Sequence, residues 1–151
     1  MEARVCKALR ELTLWEGDRL IAQYPVALSQ KAIGTKRREG DERTPEGAYR
    51  ICLAKERGKY GKSLGLSYPG PEDARAALAE GRIDAATCEA ILQAHREKRR
   101  PPWGTPLGGE IYLHAGGASP DWTKGCIALN EPDMDALFAL RDRIERVVIV
   151  P

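Results

Sequence analysis

Short runs of β-forming residues occupy both ends of this chain, and one alanine-rich stretch between Pro71 and Arg100 separates them. That distribution predicts a mainly β domain interrupted once by helix. Leu12-Thr13-Leu14-Trp15, Glu16-Gly17-Asp18 and Arg19-Leu20-Ile21-Ala22-Gln23-Tyr24 read as strand, Gly-centred turn and strand, an opening β-hairpin. Gly34 to Gly47 is polar and charged and reads as a long loop, followed by a strand over 48–53 and another over 63–68 that ends at Pro69. Helices are predicted over about 71–79 and 85–99, with Gly81 between them, Asp84 as the second N-cap and Pro101-Pro102 as its stop. Ala86, Ala90, Ile91 and Ala94 fall on one face of that second helix. Downstream, Glu110 to His114 alternates as a strand, Ala115 to Gly125 is a loop, and Cys126 to Leu129 is a short apolar run. Asn130 can cap a helix carrying Met134, Leu137, Phe138 and Arg141, and Arg146 to Val150 closes the chain as a last strand.

No repeat, low-complexity tract or linker divides the 151 residues, so one domain over 1–151 is expected, with its core over about 12–150. Hydrophobic residues at 42% and charged residues at 30% exclude wholesale disorder and a membrane-embedded chain. Lys and Arg number 24 against 22 acids, a balance that argues against nucleic acid as partner. The longest aliphatic run, Val147 to Val150, is far short of the roughly 20 apolar residues of a transmembrane helix. Met1 to Cys6 lacks the features of a secretory signal, which implies a chain that is intracellular, trimmed, or exported by another route.

Chemistry concentrates at Cys126. It follows Gly125, whose bare backbone allows close approach to a ligand, and it stands where a polar loop meets an apolar segment. A thiol attacks as thiolate and needs a base or oriented amides to do so at neutral pH. His114 ends a predicted strand twelve residues earlier, a separation that lets two neighbouring strand ends meet across one loop. Cys6, Cys52 and Cys88 read as small hydrophobes with no paired spacing, and His95 sits in a solvated basic helix end. Cys88 and His95 are seven apart on one helix, but without a second pair they do not make a metal site.

The segment His114-Ala115-Gly116-Gly117, followed by Asp121-Trp122-Thr123-Lys124-Gly125-Cys126-Ile127-Ala128-Leu129, resembles the signature of the YkuD-type L,D-transpeptidases. That family shows His-Gly, a loop, then Ser/Thr-x-Gly-Cys and apolar residues, matched here at His114, Thr123, Gly125, Cys126 and Ile127. Upstream, Thr44-Pro45-Glu46-Gly47-Ala48-Tyr49 and Ile33-Gly34 resemble further family segments. Leu66-Ser67-Tyr68-Pro69 and the run from Pro101 to Gly109 resemble a branch with a helical insertion. The resemblance implies two packed mixed sheets closed by helices, with the 71–100 segment as insertion and a C-terminal helix. It also implies that His114 takes the proton of Cys126, whose thiolate attacks a peptidoglycan tetrapeptide stem and forms a thioester. Backbone amides around Lys124, Gly125 and Cys126 would hold the oxyanion, and the carbonyl of Ala115 would steady the imidazole. Tyr68, Trp103, Trp122 and Thr123 are the expected substrate-binding side chains; the 71–109 segment is either a packing appendage that covers a sheet edge or face, or a groove wall in which the Arg96 to Arg100 cluster attracts the stem's carboxylates. The family uses no metal or organic cofactor and works in the periplasm or facing the wall.

Three positions depart from the family pattern: Ala115 replaces a glycine, Lys124 a frequent second histidine, and Ala128 a common arginine. The last resembles members that hydrolyse rather than join, so an L,D-carboxypeptidase or amidase stands beside the transpeptidase reading. A catalytically silent wall-binding module and an antibacterial effector are two further readings that these residues permit.

Overall fold

A computed structural model describes residues 1–151. Nine strands form two mixed sheets, accompanied by three α-helices. The first sheet holds β1 (Glu2–Cys6), β2 (Glu11–Glu16), β3 (Arg19–Pro25), β4 (Gly47–Tyr49) and β9 (Arg146–Val150), ordered β3-β2-β1-β9-β4. The second holds β5 (Ile51–Gly58), β6 (Gly61–Leu66), β7 (Tyr112–His114) and β8 (Ile127–Ala128), ordered β5-β6-β7-β8. Between β6 and β7 lie α1 (Pro71–Ala79) and α2 (Ala85–Arg96); α3 (Glu131–Ala139) follows β8.

Alternation decides which faces meet. Ala3 and Val5, Leu12 and Leu14, and Val147 and Ile149 turn inward from the first sheet. They form one core with Leu64, Leu66, Leu113 and Ile127 of the second sheet and Met134, Leu137 and Phe138 of α3. The core begins earlier than residue 12, because β1 lies between β2, antiparallel, and β9, parallel. Its Glu-Ala-Arg-Val-Cys sequence has the period of a half-buried strand, but alanine and one valine are a faint apolar signal.

The hairpin of β2 and β3 forms as the sequence predicts, with Gly17 in the left-handed region. The predicted 48–53 strand is two strands, and β5 runs on through Lys55-Glu56-Arg57, a charged stretch whose outer face is solvated. Helix α2 stops at Arg96 rather than 99, because Lys98 takes a φ of 54° and Arg99 N–H turns back to the Ala94 carbonyl. Its buried stripe is Cys88, Ile91 and Ala94; Ala86 and Ala90 are exposed. Asp84 caps it, accepting from Thr87 N–H at 2.7 Å. Asn130 holds the N-cap position of α3 without capping it, since its Oδ1 accepts from Ala118 N–H in the preceding loop.

Two buried lysines order the long loop between β3 and β4. Lys7 Nζ donates to the carbonyls of Gly34 and Thr44 and to the Glu46 carboxylate. Lys36, 6% exposed, pairs with Asp41, whose carboxylate also accepts from the amides of Arg37, Arg38 and Arg43. A buried charge is tolerated only when paired and hydrogen-bonded, so these contacts hold the loop in one path beside β8.

Candidate active site

β7 and β8 are parallel neighbours, with Leu113 opposite Ile127 and His114 opposite Ala128. Cys126 lies two positions before Ala128, the parity that returns its side chain to the face of His114. Both line one cavity of about 760 Å³. The Cys126 thiol accepts from Tyr112 N–H and donates to the Glu110 carbonyl, each at 3.4 Å. His114 is buried, and its Nδ1 lies 2.5 Å from the Ala115 carbonyl. A carbonyl only accepts, so Nδ1 carries the proton and Nε2 keeps a free lone pair.

Burial pushes the Cys126 thiol above its ordinary range; the Tyr112 amide and Lys36 work against that, and Glu110 adds to it. Burial also lowers the His114 pKa, partly offset by the Ala115 carbonyl. Both shifts favour the uncharged forms at neutral pH, a thiol and a neutral imidazole rather than a thiolate and an imidazolium.

The turn before the cysteine is built from both sides. Thr123 Oγ1 donates to the Cys126 carbonyl at 2.7 Å, and Thr44 Oγ1 donates to the Gly125 carbonyl at 2.7 Å. Gly125 has a φ of 126°, and a Cβ there would stand 3.0 Å from the Arg43 carbonyl oxygen. Only glycine fits that close crossing of two backbones. Neither Lys124 N–H nor Cys126 N–H has a partner within the protein.

Aromatic rings enclose the imidazole. Tyr60, at the tip of the β5–β6 hairpin, stacks on His114 with centroids 4.8 Å apart and planes at 24°. Trp122 meets both edge-on, at 4.9 Å and 5.5 Å, and its Nε1 donates to the Gly117 carbonyl. Gly116 makes room for it, because a Cβ there would lie 2.8 Å from the indole.

Of the residues singled out in the sequence, Cys126, His114, Trp122, Thr123 and Lys124 line the cavity. Gly125 and Ala115 support it from behind through their carbonyls. Tyr68 does not belong there: it is 0% exposed, and its hydroxyl donates to the Leu107 carbonyl, so its ring is core. Trp103 also lies outside, packed behind Gly109 and Gly65, with Nε1 donating to the Tyr68 carbonyl. The helical insertion contributes nothing to the cavity wall, and Arg96 and Arg99 are paired with Glu89 and Glu97. Sequence reasoning missed Tyr60, Tyr112, Lys36, Lys55 and Lys59 on the wall. An aromatic between Gly58 and Gly61 was the signal for Tyr60; nothing local marks the others. No three His, Cys, Asp or Glu side chains gather as a metal-ligating group, and His95 Nε2 faces the Pro69 carbonyl instead.

The fold has known counterparts. Three solved structures share the fold over nearly the whole chain. The helical cell shape determining protein Pgp2 of Campylobacter jejuni is 19% identical with a TM-score of 0.64, over 97% of this chain and 46% of that one. Bd1075 of Bdellovibrio bacteriovorus is 22% identical at 0.59, over 99% and 47%. An L,D-transpeptidase from Xylanimonas cellulosilytica is 11% identical at 0.58, over 98% and 59%. The chain thus spans about half the length of the structures it matches. Among curated proteins no significant match is found. The family model of the L,D-transpeptidase catalytic domain, YkuD, matches residues 3–149, from β1 to β9, and by that match the chain belongs to the YkuD family of L,D-transpeptidase catalytic domains.

Proposed function

We propose that this domain is a cysteine-dependent L,D-transpeptidase of peptidoglycan tetrapeptide stems, working on the periplasmic or wall-facing side through a thioester. The observation that supports the reading is that one cavity is lined both by Cys126 and by a His114 whose Nδ1 is held by the Ala115 carbonyl and whose Nε2 is free. The neutral imidazole makes His114 a general base at the moment of attack. Its Nε2 takes the thiol proton as sulfur bonds to the carbonyl carbon preceding the terminal D-amino acid. The bond from that carbon to the leaving nitrogen then breaks, and the imidazolium returns the proton to the departing amine. An acceptor amine or water resolves the thioester and restores the thiol.

The unpartnered amides of Lys124 and Cys126 are the donors we assign to the oxyanion, and one such donor is worth about 2.7–4 kcal/mol in acyl transfer. Trp122 and Thr123 border the bound stem, whereas Tyr68 and Trp103 take no part. The test is mass spectrometry of tetrapeptide muropeptides incubated with the protein. A 3→3 dimer establishes transfer, and a tripeptide establishes carboxypeptidase action instead. Unchanged muropeptides with no covalent adduct at Cys126 refute the thioester mechanism.

A further inference from the structure

The loop from Lys36 to Arg43 has two working sides. Lys36, Glu39 and Glu42 face the cavity of Cys126, while Arg37, Arg38 and Arg43 face a second, open pocket of about 630 Å³; Gly40 borders both. Lys31 and Arg82 complete the second pocket's basic wall. Its one acid, Asp41, is already engaged by Lys36 and three backbone amides.

The remaining carboxylates nearby are too few for the cations. Glu80 serves Arg37 and Arg82 together, and Glu42 serves Lys31 and Lys124 together. Arg38 and Arg43 have no acidic partner within 4.0 Å. The Arg43 guanidinium is also seated: it lies against Gly34, where a Cβ would come within 3.3 Å of Nη1, and Gly34 is held from behind by Lys7. In a chain whose net charge is only +2, this is a local excess of positive charge in a concave place.

We propose that this pocket is an anion subsite that binds a carboxylate of the peptide stem through Arg38 and Arg43 while the stem crosses Gly40 into the Cys126 cavity. The inference rests on the peptide-stem reading above. Guanidinium groups match carboxylates with two parallel donors, and a half-open pocket screens them less than a flat surface does.

Binding is measured by calorimetry on the Cys126→Ala protein, which cannot consume the ligand, with a tetrapeptide stem and with the same peptide amidated at its carboxyl groups. Arg38→Gln and Arg43→Gln keep much of the side-chain length and are combined in one variant, with its circular-dichroism melt as the folding control; Arg38→Gln alone, on an exposed loop position, is the second variant. The expected result is a Kd for the free-carboxylate peptide raised about tenfold per arginine, the order of a charge-assisted hydrogen bond. Amidation is expected to raise Kd in the parent and to change nothing in the double variant. Equal Kd values for parent and folded double variant overturn the subsite and leave the enzymatic reading standing. Absence of any peptide binding to the parent overturns the subsite too, and only the muropeptide digestion then decides the reaction.

Discussion

Replacing Thr44 by valine tests how the cysteine turn is held. Thr44 is fully buried, and its Oγ1 donates to the Gly125 carbonyl at 2.7 Å from a loop 81 positions away in sequence. Valine keeps the side-chain shape and exchanges the hydroxyl for a methyl. The buried Gly125 carbonyl then loses its donor, and an unsatisfied buried acceptor costs about 1–3 kcal/mol. For a domain of this size, 1 kcal/mol moves the melting point by about 2–4 °C, so a fall of about 2–12 °C is expected. Urea denaturation would show a lower midpoint at unchanged slope, because the folded core is intact. The same loss frees the backbone next to Cys126, so iodoacetamide should alkylate that thiol faster than in the parent, where burial holds it protonated. Thr44→Ser keeps the donor and should leave the alkylation rate at the parent value. Stability within about 0.5 kcal/mol of the parent, the range of an ordinary surface change, together with an unchanged alkylation rate would refute the reasoning.

Cys126→Ala should abolish turnover while the melting curve stays near that of the parent, checked by muropeptide digestion beside calorimetry. Burial lowers the His114 pKa, so the folded protein resists protonating it while the unfolded chain takes the proton near the ordinary 6.5. Unfolding therefore gains a proton as pH falls below that value, and stability should decline on the acid side; His114→Gln should flatten that slope in melts between about pH 7 and pH 5. Gly116→Ala forces a Cβ against the Trp122 indole at a φ of 122°, and should cost about 1–3 kcal/mol and shift tryptophan emission. Tyr60→Ala removes the ring stacked on His114 and should lower kcat more than it raises KM for muropeptides, because it orients the base; a change confined to KM would make Tyr60 a substrate contact instead.

The sequence was most legible where local chemistry and tertiary need agree. The β2–β3 hairpin and the Asp84 cap depend on neighbours close in the chain, and the Val147 to Val150 run is strand-forming by itself; all three stand where the residues predict them. It was least legible where a distant partner decides. Nothing within Glu2 to Cys6 says that a modest alternation is a central strand; β9, more than 140 residues later, makes it one. Tyr68 and Trp103 read as exposed aromatic surface, yet the Leu107 and Tyr68 carbonyls supply buried partners for their polar ends. Tyr60 carried only the faint signal of an aromatic between two glycines, because its position over His114 comes from the β5–β6 hairpin and the pairing of β6 with β7. The basic pocket, likewise, gathers cations whose significance lies in which acids they share.

The place of β1 in the first sheet has a consequence in time. Strands β1, β2 and β3 are made before the rest of the domain and can pair at once as an antiparallel meander. The far edge of β1, though, waits for residues 146–150 to emerge. Throughout synthesis that edge offers unmet amides and carbonyls to any passing strand. The alternating charges of Glu2 and Arg4 along it, turned away from the core, discourage such a stranger, as charged side chains do on permanent sheet edges. Completion then comes late, by the slowest kind of contact, the meeting of the domain's two extremes. A nascent domain of this kind stays unfinished until its last strand arrives.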